Sequence, residues 1–240
     1  MSILFISDLH LEPGGSALED ILLRFLNGPA RKAEALYLLG DIFEYWLGDD
    51  ASLPRYQTVC DALAKLSAAG MPLYFMHGNR DFMVGKEFAQ TTGATLLPES
   101  VVVDLDGTPT LLLHGDSLCT DDVEHQRFRK LALDPATQAR LLALPIAQRE
   151  NMALALRMHS KEKKSYTPQD IMDVNQGAVD SALRAHSVKQ MLHGHTHRPA
   201  IHEWTLDAAP VKRIVLPDWH DGRGGALVCD ARACRFMELL

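Results

Sequence analysis

The chain has 240 residues, 47% of them apolar and 23% charged, with a formal net charge of −7 and 11 histidines. That length fits one domain with a substantial core, and the charge argues against a nucleic-acid-binding surface, so no nucleic-acid partner is expected. No apolar run approaches the ~20 residues of a membrane-spanning helix. The chain passes directly into strand-like Ile3–Ile6, leaving no room for a signal peptide. Its four cysteines, Cys60, Cys119, Cys229 and Cys234, show neither a CxxC pair nor a disulfide spacing, so a reduced, cytosolic protein is expected.

In chain order, strand Ile3–Ser7 leads to Asp8-x-His10. A helix follows from about Ala17 to Asn27: Ser16-x-x-Glu19 is a capping-box signal, Leu18, Ile21, Leu22 and Phe25 share one face, and Gly28 can close the end. Strand Ala35–Leu39, an apolar run suited to burial on both faces, is stopped by Gly40 and delivers Asp41. Pro54 suits the first turn of a helix running to about Ala69, closed by Gly70. Strand Leu73–Met76 delivers Asn79-Arg80-Asp81, and a helix from about Gly85 ends before Gly93. This alternation of strand and helix argues for a parallel or mixed sheet with helices outside. Val101–Leu105 and Thr110–Leu113, joined around Asp106-Gly107, read as a hairpin ending in His114. Strand Lys189–Leu192 precedes His193-Gly194-His195-Thr196-His197. The tail (Val211–Leu216, Gly225–Cys229, Cys234–Glu238) reads as further antiparallel strands. One domain, residues 1–240, is expected, with a helical insertion or cap at 121–186.

The first part of that insertion has its own electrostatics. Residues 124–165 hold nine Lys or Arg and four acids, +5 in all, which leaves −12 on the remainder. The stretch also carries apolar residues, Leu131, Leu142, Leu144, Leu154 and Leu156 among them. A cationic, partly apolar cap beside a site suits a substrate with both phosphate and lipid; a helical hairpin packed on the core is the competing reading.

The strand ends carry the chemistry. A single Gly-Asp after a strand is usually a turn, but here five short apolar runs each deliver Asp, Asn or His to a strand tip, where open α/β sheets place their sites. Asp8 and His10, two apart on an extended segment, are expected to point to one face, and His195 and His197 repeat the spacing. Carboxylate, amide and imidazole ligands without thiolate suit manganese, iron or zinc. Seven ligands suit two ions sharing one carboxylate, which we assign to Asp41. One ion would take Asp8, His10, Asp41 and His197, and the other Asp41, Asn79, His114 and His195. Two dications against two carboxylates leave +2, which attracts a phosphate. Ions ~3.5–4 Å apart also lower the pKa of bound water and clamp an in-line displacement at phosphorus. The expected reaction is metal-assisted phosphoester hydrolysis, with Asp41, Asn79, Arg80, His114 and His195 as candidate catalytic residues.

Read in order, DLH, GD, GNRD, HGD and HGHTH resemble the calcineurin-like metallophosphoesterases, whose pattern is D-x-H, GD, GN[HR], H and GHxH. The match runs from Asp8 to His197. It implies a four-layer α/β/β/α sandwich with the dimetal site at the sheet edges. Longer stretches (GDIFEYWLGDD, MHGNRDFMVGK, LLHGDSLCTDD, IMDVNQ, HGHTHRPA) are similar to a branch of that family, the UDP-2,3-diacylglucosamine pyrophosphatases of lipid A synthesis, over the full length. This resemblance implies two Mn2+; from the dimetal site and Arg80 together, attack of hydroxide on the uridine-side phosphorus is expected. It implies UMP and 2,3-diacylglucosamine 1-phosphate as products, and a chain attached peripherally to the cytoplasmic face of the inner membrane. We expect a monomer. Substrate contacts are implied at Asn79, Arg80, Asp122, Ser160 and His195. Two further positions, usually Asn and Lys in the family, are Lys164 and Thr167 here, and Pro217 stands where the family pattern has Gly.

Arg80 sharpens the reading. Phosphomonoesterases of the superfamily usually place His after the Asn, where it can protonate an alkoxide. A departing phosphate monoester is a weak base that needs no acid, whereas Arg can clamp its oxygens. The alternative for Arg80 is an ion pair with Asp81 or Asp116. Two other functions compete: a nucleotide pyrophosphatase or phosphodiesterase on the same core, whose mark would be a short connection between HGD and HGHTH, and a non-catalytic metal-binding scaffold, whose mark would be lost ligands.

Overall fold

Strands β1 (Ser2–Ile6) and β2 (Ala35–Leu39) run parallel, Ile3 opposite Ala35, and their side chains alternate between two separate apolar cores. Leu4, Ile6, Leu36 and Leu38 point to one side, where Ile21, Leu22 and Phe25 of helix α1 (Ala17–Asn27) meet them. Phe5, Tyr37 and Leu39 point to the other, against a second sheet. The computed structural model describes the backbone of residues 2–166 and 173–240, and the side chains of all these but 161 and 163–166.

Helix α1 begins as its capping box requires, with Ser16 Oγ accepting the N–H of Glu19 at 3.1 Å. The first sheet continues with β3 (Leu73–Met76) and the short β4 (Thr95–Leu96), and on its other side with β10 (Gly224–Asp230) and β11 (Cys234–Leu239), giving the order β11-β10-β1-β2-β3-β4. Helices α3 (Gln57–Ala68) and α4 (Lys86–Thr92) cover its outer face beside α1. The second sheet contains the expected hairpin, β5 (Ser100–Leu105) and β6 (Thr108–Leu113), turned at Asp106-Gly107 with both residues at positive φ. Strands β7 (Gln190–His193), β8 (Ala200–Leu206) and β9 (Ala209–Val215) complete the order β5-β6-β7-β9-β8. Helix α8 (Gln176–Ala185) packs Val179 and Leu183 on its outer face, against Leu111, Leu113 and Met191. Helix, sheet, sheet and helix therefore stack as the four layers of the calcineurin-like sandwich.

Three helices stand on the strand-tip side: α5 (Val123–Ala132), α6 (Pro135–Leu142) and α7 (Ile146–Tyr166). Their cations bind the acidic body. Arg149 pairs with Asp50, Arg55 of the body with Glu150 at 2.8 Å, and Arg129 with Asp116 at 2.9 Å and with Glu99. Part of the +5 of this stretch therefore serves to seat it on the acidic body.

Four expectations are corrected. Pro54 does not open the long helix: a one-turn helix, α2 (Asp49–Ser52), precedes it, and Pro54 lies in the turn before α3. There its missing N–H costs nothing, since Arg55 and Tyr56 donate to the Ser52 carbonyl instead. Strand β8 has no counterpart in the expected elements, because it is an edge strand with mostly exposed side chains and no clear apolar alternation. The tail is not wholly antiparallel, since β9 runs parallel to β7. Cys229 and Cys234 form a disulfide, because the β10–β11 register sets them directly opposite with Cα atoms 4.0 Å apart. A linear spacing of five does not reveal a cross-strand pair. Cys60 and Cys119 are buried, and neither forms a disulfide among the described residues.

Candidate metal centre

Each sequence-expected ligand sits just beyond a strand of the double sheet. Asp8 and His10 follow β1, Asp41 follows β2, Asn79 follows β3, His114 follows β6, and His195 and His197 follow β7. Two trios result, each with its ligating atoms within 4.8 Å of one another: Asp8, His10 and His197, and Asp41, His114 and His195. Asp41 faces both. Its Oδ2 lies 3.9 Å from His10 Nε2 and its Oδ1 3.7 Å from His114 Nε2. Asn79 joins the second trio, its Oδ1 3.3 Å from His114 Nε2.

The convergence has a different cause from the extended spacing expected. Asp8, His10, Asp41, His195 and His197 all have positive φ, between 49° and 67°. For residues with a Cβ this left-handed region is costly and marks sites whose surroundings over-determine the backbone. The loops achieve it by close approach: a Cβ on Gly78 would lie 2.2 Å from Asp41 Oδ1, and one on Gly194 would lie 2.2 Å from Asp8 Oδ2. The Asp81 carboxylate, fully buried, locks the arrangement by accepting the N–H groups of Gly78 (2.8 Å), Asp41 (3.2 Å), Ile42 (2.8 Å) and Phe43 (3.4 Å). Burial and the charge of Asp41 raise its pKa to about 6.

The donor set fits divalent cations. Asp8 Oδ1 is buried without a hydrogen-bond partner, while its Oδ2 accepts from Ser7 Oγ and the N–H of His195. The Nε2 atoms of His10 and His197 face each other at 3.2 Å, an arrangement natural to two lone pairs aimed at a common cation. His114 Nδ1 is 2.8 Å from the Leu39 carbonyl, held as the outer nitrogen of a metal-site histidine is. His197 Nδ1 is 3.3 Å from Asp218 Oδ2, and His10 Nδ1, buried without a hydrogen-bond partner, lies at ion-pair distance, 3.2 Å, from Glu44 Oε2. Burial opposes ionisation of Asp8, yet His197, His114 and His10 hold its carboxyl well below the usual carboxylate range. Burial would lower the His114 pKa, but Asp41, Asp8 and Asp116 raise it to about 9. His195 moves the opposite way, pushed well below its ordinary value by burial and by His114 and His125, so its imidazole is neutral.

Arg80 pairs with neither Asp81 nor Asp116. Its Nη1 is 3.9 Å from Glu44 Oε1, its Nη2 donates to Ser160 Oγ at 3.1 Å, and its backbone N–H donates to Asp41 Oδ1 at 2.8 Å. Asn79, Arg80 and Ser160 line one end of a cavity of about 400 Å³ that extends beneath the cap, walled by Phe82, Phe128, Leu131, Leu141, Met152 and Leu156. Asp122 is the N-cap of α5, accepting the N–H of His125 at 2.9 Å. The Lys164 side chain and Thr167 lie outside the described residues. The Pro217 ring packs on Gly225, where an added Cβ would lie 2.6 Å from its Cγ, and Trp219 covers Gly224 in the same way. The Asp218 between them is thereby held against His197. Glu44 and Asp218 escape sequence reasoning, since a lone loop carboxylate carries no spacing; only the place of Glu44 just after the Asp41 strand tip hints at it.

Two packed sheets with Asp and His trios at their strand tips define a dinuclear phosphoesterase class that uses divalent metal ions, and the family model described as "Calcineurin-like phosphoesterase" matches residues 1–199. Three curated relatives, each a UDP-2,3-diacylglucosamine hydrolase, match nearly end to end. That of Chromohalobacter salexigens is 51% identical over 93% of this chain and 91% of its own. That of Nitrosococcus oceani is 47% identical over 99% and 95%, and that of Escherichia fergusonii 50% identical over 92% of each. The chain belongs to the UDP-2,3-diacylglucosamine hydrolase family of the calcineurin-like phosphoesterases.

Proposed function

We propose that the protein hydrolyses the pyrophosphate bond of UDP-2,3-diacylglucosamine, giving UMP and 2,3-diacylglucosamine 1-phosphate, with two Mn2+ as the working ions. The observation that carries this reading is the apolar chamber that opens beside the candidate metal ligands, with Arg80 at the junction. A lipid-bearing diphosphate needs that sequence of environments: cations, then a guanidinium, then a dry apolar space.

Asp8, His10, Asp41 and His197 would hold one ion, and Asp41, Asn79, His114 and His195 the other. When bound, the ions supply Lewis acidity and a water of lowered pKa. The remaining work belongs to the chain. Asp41 directs one carboxylate oxygen toward each trio, so that it would serve both ions. The His114 Nδ1 contact with the Leu39 carbonyl leaves its Nε2 free to ligate. Arg80, held between Glu44 and Ser160, offers a planar fork to two oxygens of the departing phosphate and keeps its proton while doing so. The chamber takes the acyl chains, excluding water from the sugar side. Asp122 supports this wall by capping α5.

We further propose that the cap rests on the cytoplasmic face of the inner membrane and that the protein acts as a monomer. Supporting the membrane contact, Leu131 and Met158 are 61% and 74% exposed on cap helices. Turnover of UDP-2,3-diacylglucosamine beside UDP-glucose and other unacylated nucleotides tests the substrate. Fast cleavage of the lipid substrate alone is expected, and equal turnover of UDP-glucose would overturn it. Activity restored to metal-free enzyme by Mn2+ ahead of Zn2+ tests the ion.

A further inference from the structure

Glu44 stands where the cap, the candidate metal site and the phosphate-facing arginine meet. Its Oε2 lies 3.2 Å from His10 Nδ1, while its Oε1 lies 3.0 Å from Arg157 Nε on α7 and 3.9 Å from Arg80 Nη1. The carboxylate is only 11% exposed, so its charge depends on these partners rather than on water.

Arg157 also pairs with Glu12. Glu12 follows the Asp8-x-His10 tip and Glu44 follows Asp41, and the backbone ties the two loops together: the Leu11 N–H donates to the Ile42 carbonyl at 3.0 Å, and the Glu44 N–H to the Leu11 carbonyl at 2.9 Å. Three residues farther along the same helix face, Ser160 receives Arg80. One face of α7 thus grips the site twice, once through the acid that faces a metal-ligand candidate and once through the arginine at the chamber mouth.

We infer that Arg157, acting through Glu44, is a positioning residue that couples the seating of α7 to the placement of His10. The inference rests on the metal-site reading above. Without Arg157 the Glu44 carboxylate loses its nearest cation and turns toward Arg80, away from the His10 Nδ1 that it now faces at 3.2 Å. Outer-shell partners of ligating histidines typically change metal affinity about 10- to 100-fold. The coupling is reciprocal: if seated α7 favours the ion, the ion favours seated α7. A latch that merely holds the cap would change stability and leave ion affinity alone.

The test uses the full chain, stripped of metal, and Mn2+ alone as the probe. Chelator competition gives the affinity, and hydrogen exchange over residues 146–160 reports the seating of α7 with and without Mn2+. Arg157→Gln is expected to weaken one of the two Mn2+ by about tenfold and to abolish the Mn2+-induced slowing of exchange seen in the wild type. Glu44→Gln should show the same loss, and the double variant no more than Glu44→Gln alone, because the two act in series. Should Arg157→Gln fail to fold, Arg157→Lys carries the test: one ammonium cannot hold Glu12 and Glu44 together, so a several-fold loss is expected. Wild-type affinity in the Arg157 variants, or losses that add in the double variant, would overturn the coupling while leaving the metal site standing. No saturable Mn2+ binding by the wild type would overturn both.

Discussion

The backbone N–H of Asp41 donates to the buried carboxylate of Asp81 at 3.2 Å. The residue that faces both trios is thus aimed by a carboxylate that belongs to neither. Asp81 accepts three other N–H groups from the same two loops, so Asp81→Ala would strand all four in a dry interior. An unsatisfied buried donor costs about 1–3 kcal/mol, and we expect a loss of at least about 3 kcal/mol, read as a lowered midpoint in urea. A near-wild-type midpoint would show that the loops are held by something else.

Asp41→Ala should abolish hydrolysis and loosen both ions, since each carboxylate oxygen faces a different trio. Asn79→Ala, which touches only the His114 side, should weaken one ion and leave the other. Metal analysis after dialysis separates the cases: two ions still tightly bound by the Asp41 variant would remove Asp41 from its bridging position.

How far the sequence reveals this site depends on the kind of information involved. The strand tips are legible because an apolar run ending in Gly-Asp or His-Gly is a local pattern, and five of them name the seven ligands. The convergence is not legible: nothing local says that Asp8, His10, Asp41, His195 and His197 adopt positive φ, since only the packed neighbours make that backbone the best available. Asp218 is invisible for a related reason, and Glu44 is hinted at only by its place after Asp41; each is a single carboxylate brought to its histidine by a separate loop. The Cys229–Cys234 bridge follows from a hairpin register, which a count of intervening residues does not contain.

Ion uptake should release a proton. In the metal-free protein the pKa of His114 stands at about 9, raised by Asp41, Asp8 and Asp116 against the opposing effect of burial. A ligating imidazole must be neutral, so at pH 7 the incoming cation displaces that proton. The sign follows: below about pH 9 the competition strengthens as pH falls, weakening binding by up to about tenfold per pH unit from this group. Calorimetric titration of Mn2+ in buffers of different ionisation enthalpy should show about one proton released at pH 7. Buffer-independent heats would contradict the assignment.

The cap offers a contrast between neighbouring positions. Leu156 lines the chamber, whereas Leu142 lies against Gly48, whose added Cβ would meet it at 2.5 Å. Leu156→Asp should impair the diacylated substrate by at least about tenfold while sparing a small chromogenic phosphodiester, because it spoils only the apolar wall. Leu142→Asp disturbs the seat of α6 and should lower thermal stability first. Equal loss on both substrates from Leu156→Asp would argue against an acyl-binding wall.

The remaining prediction concerns which bond breaks. Arg80 lies between the two regions a substrate must span: its backbone N–H donates to Asp41 Oδ1, and its guanidinium reaches Ser160 at the wall of the chamber. A diacyl sugar seated in that chamber directs its own phosphate toward Arg80, leaving the uridine-side phosphorus against the metal ligands. In-line displacement then brings water in from the ligand side and sends the sugar 1-phosphate out toward the cap. Hydrolysis in oxygen-18 water should place the label in UMP. Arg80→His should lose activity even though it installs the residue common in phosphomonoesterases, because a compact imidazole cannot offer the bidentate fork that meets the charge on the leaving phosphate. Label recovered in the sugar phosphate would reverse the direction of attack, and an Arg80→His variant with full activity would show that the leaving group needs no clamp.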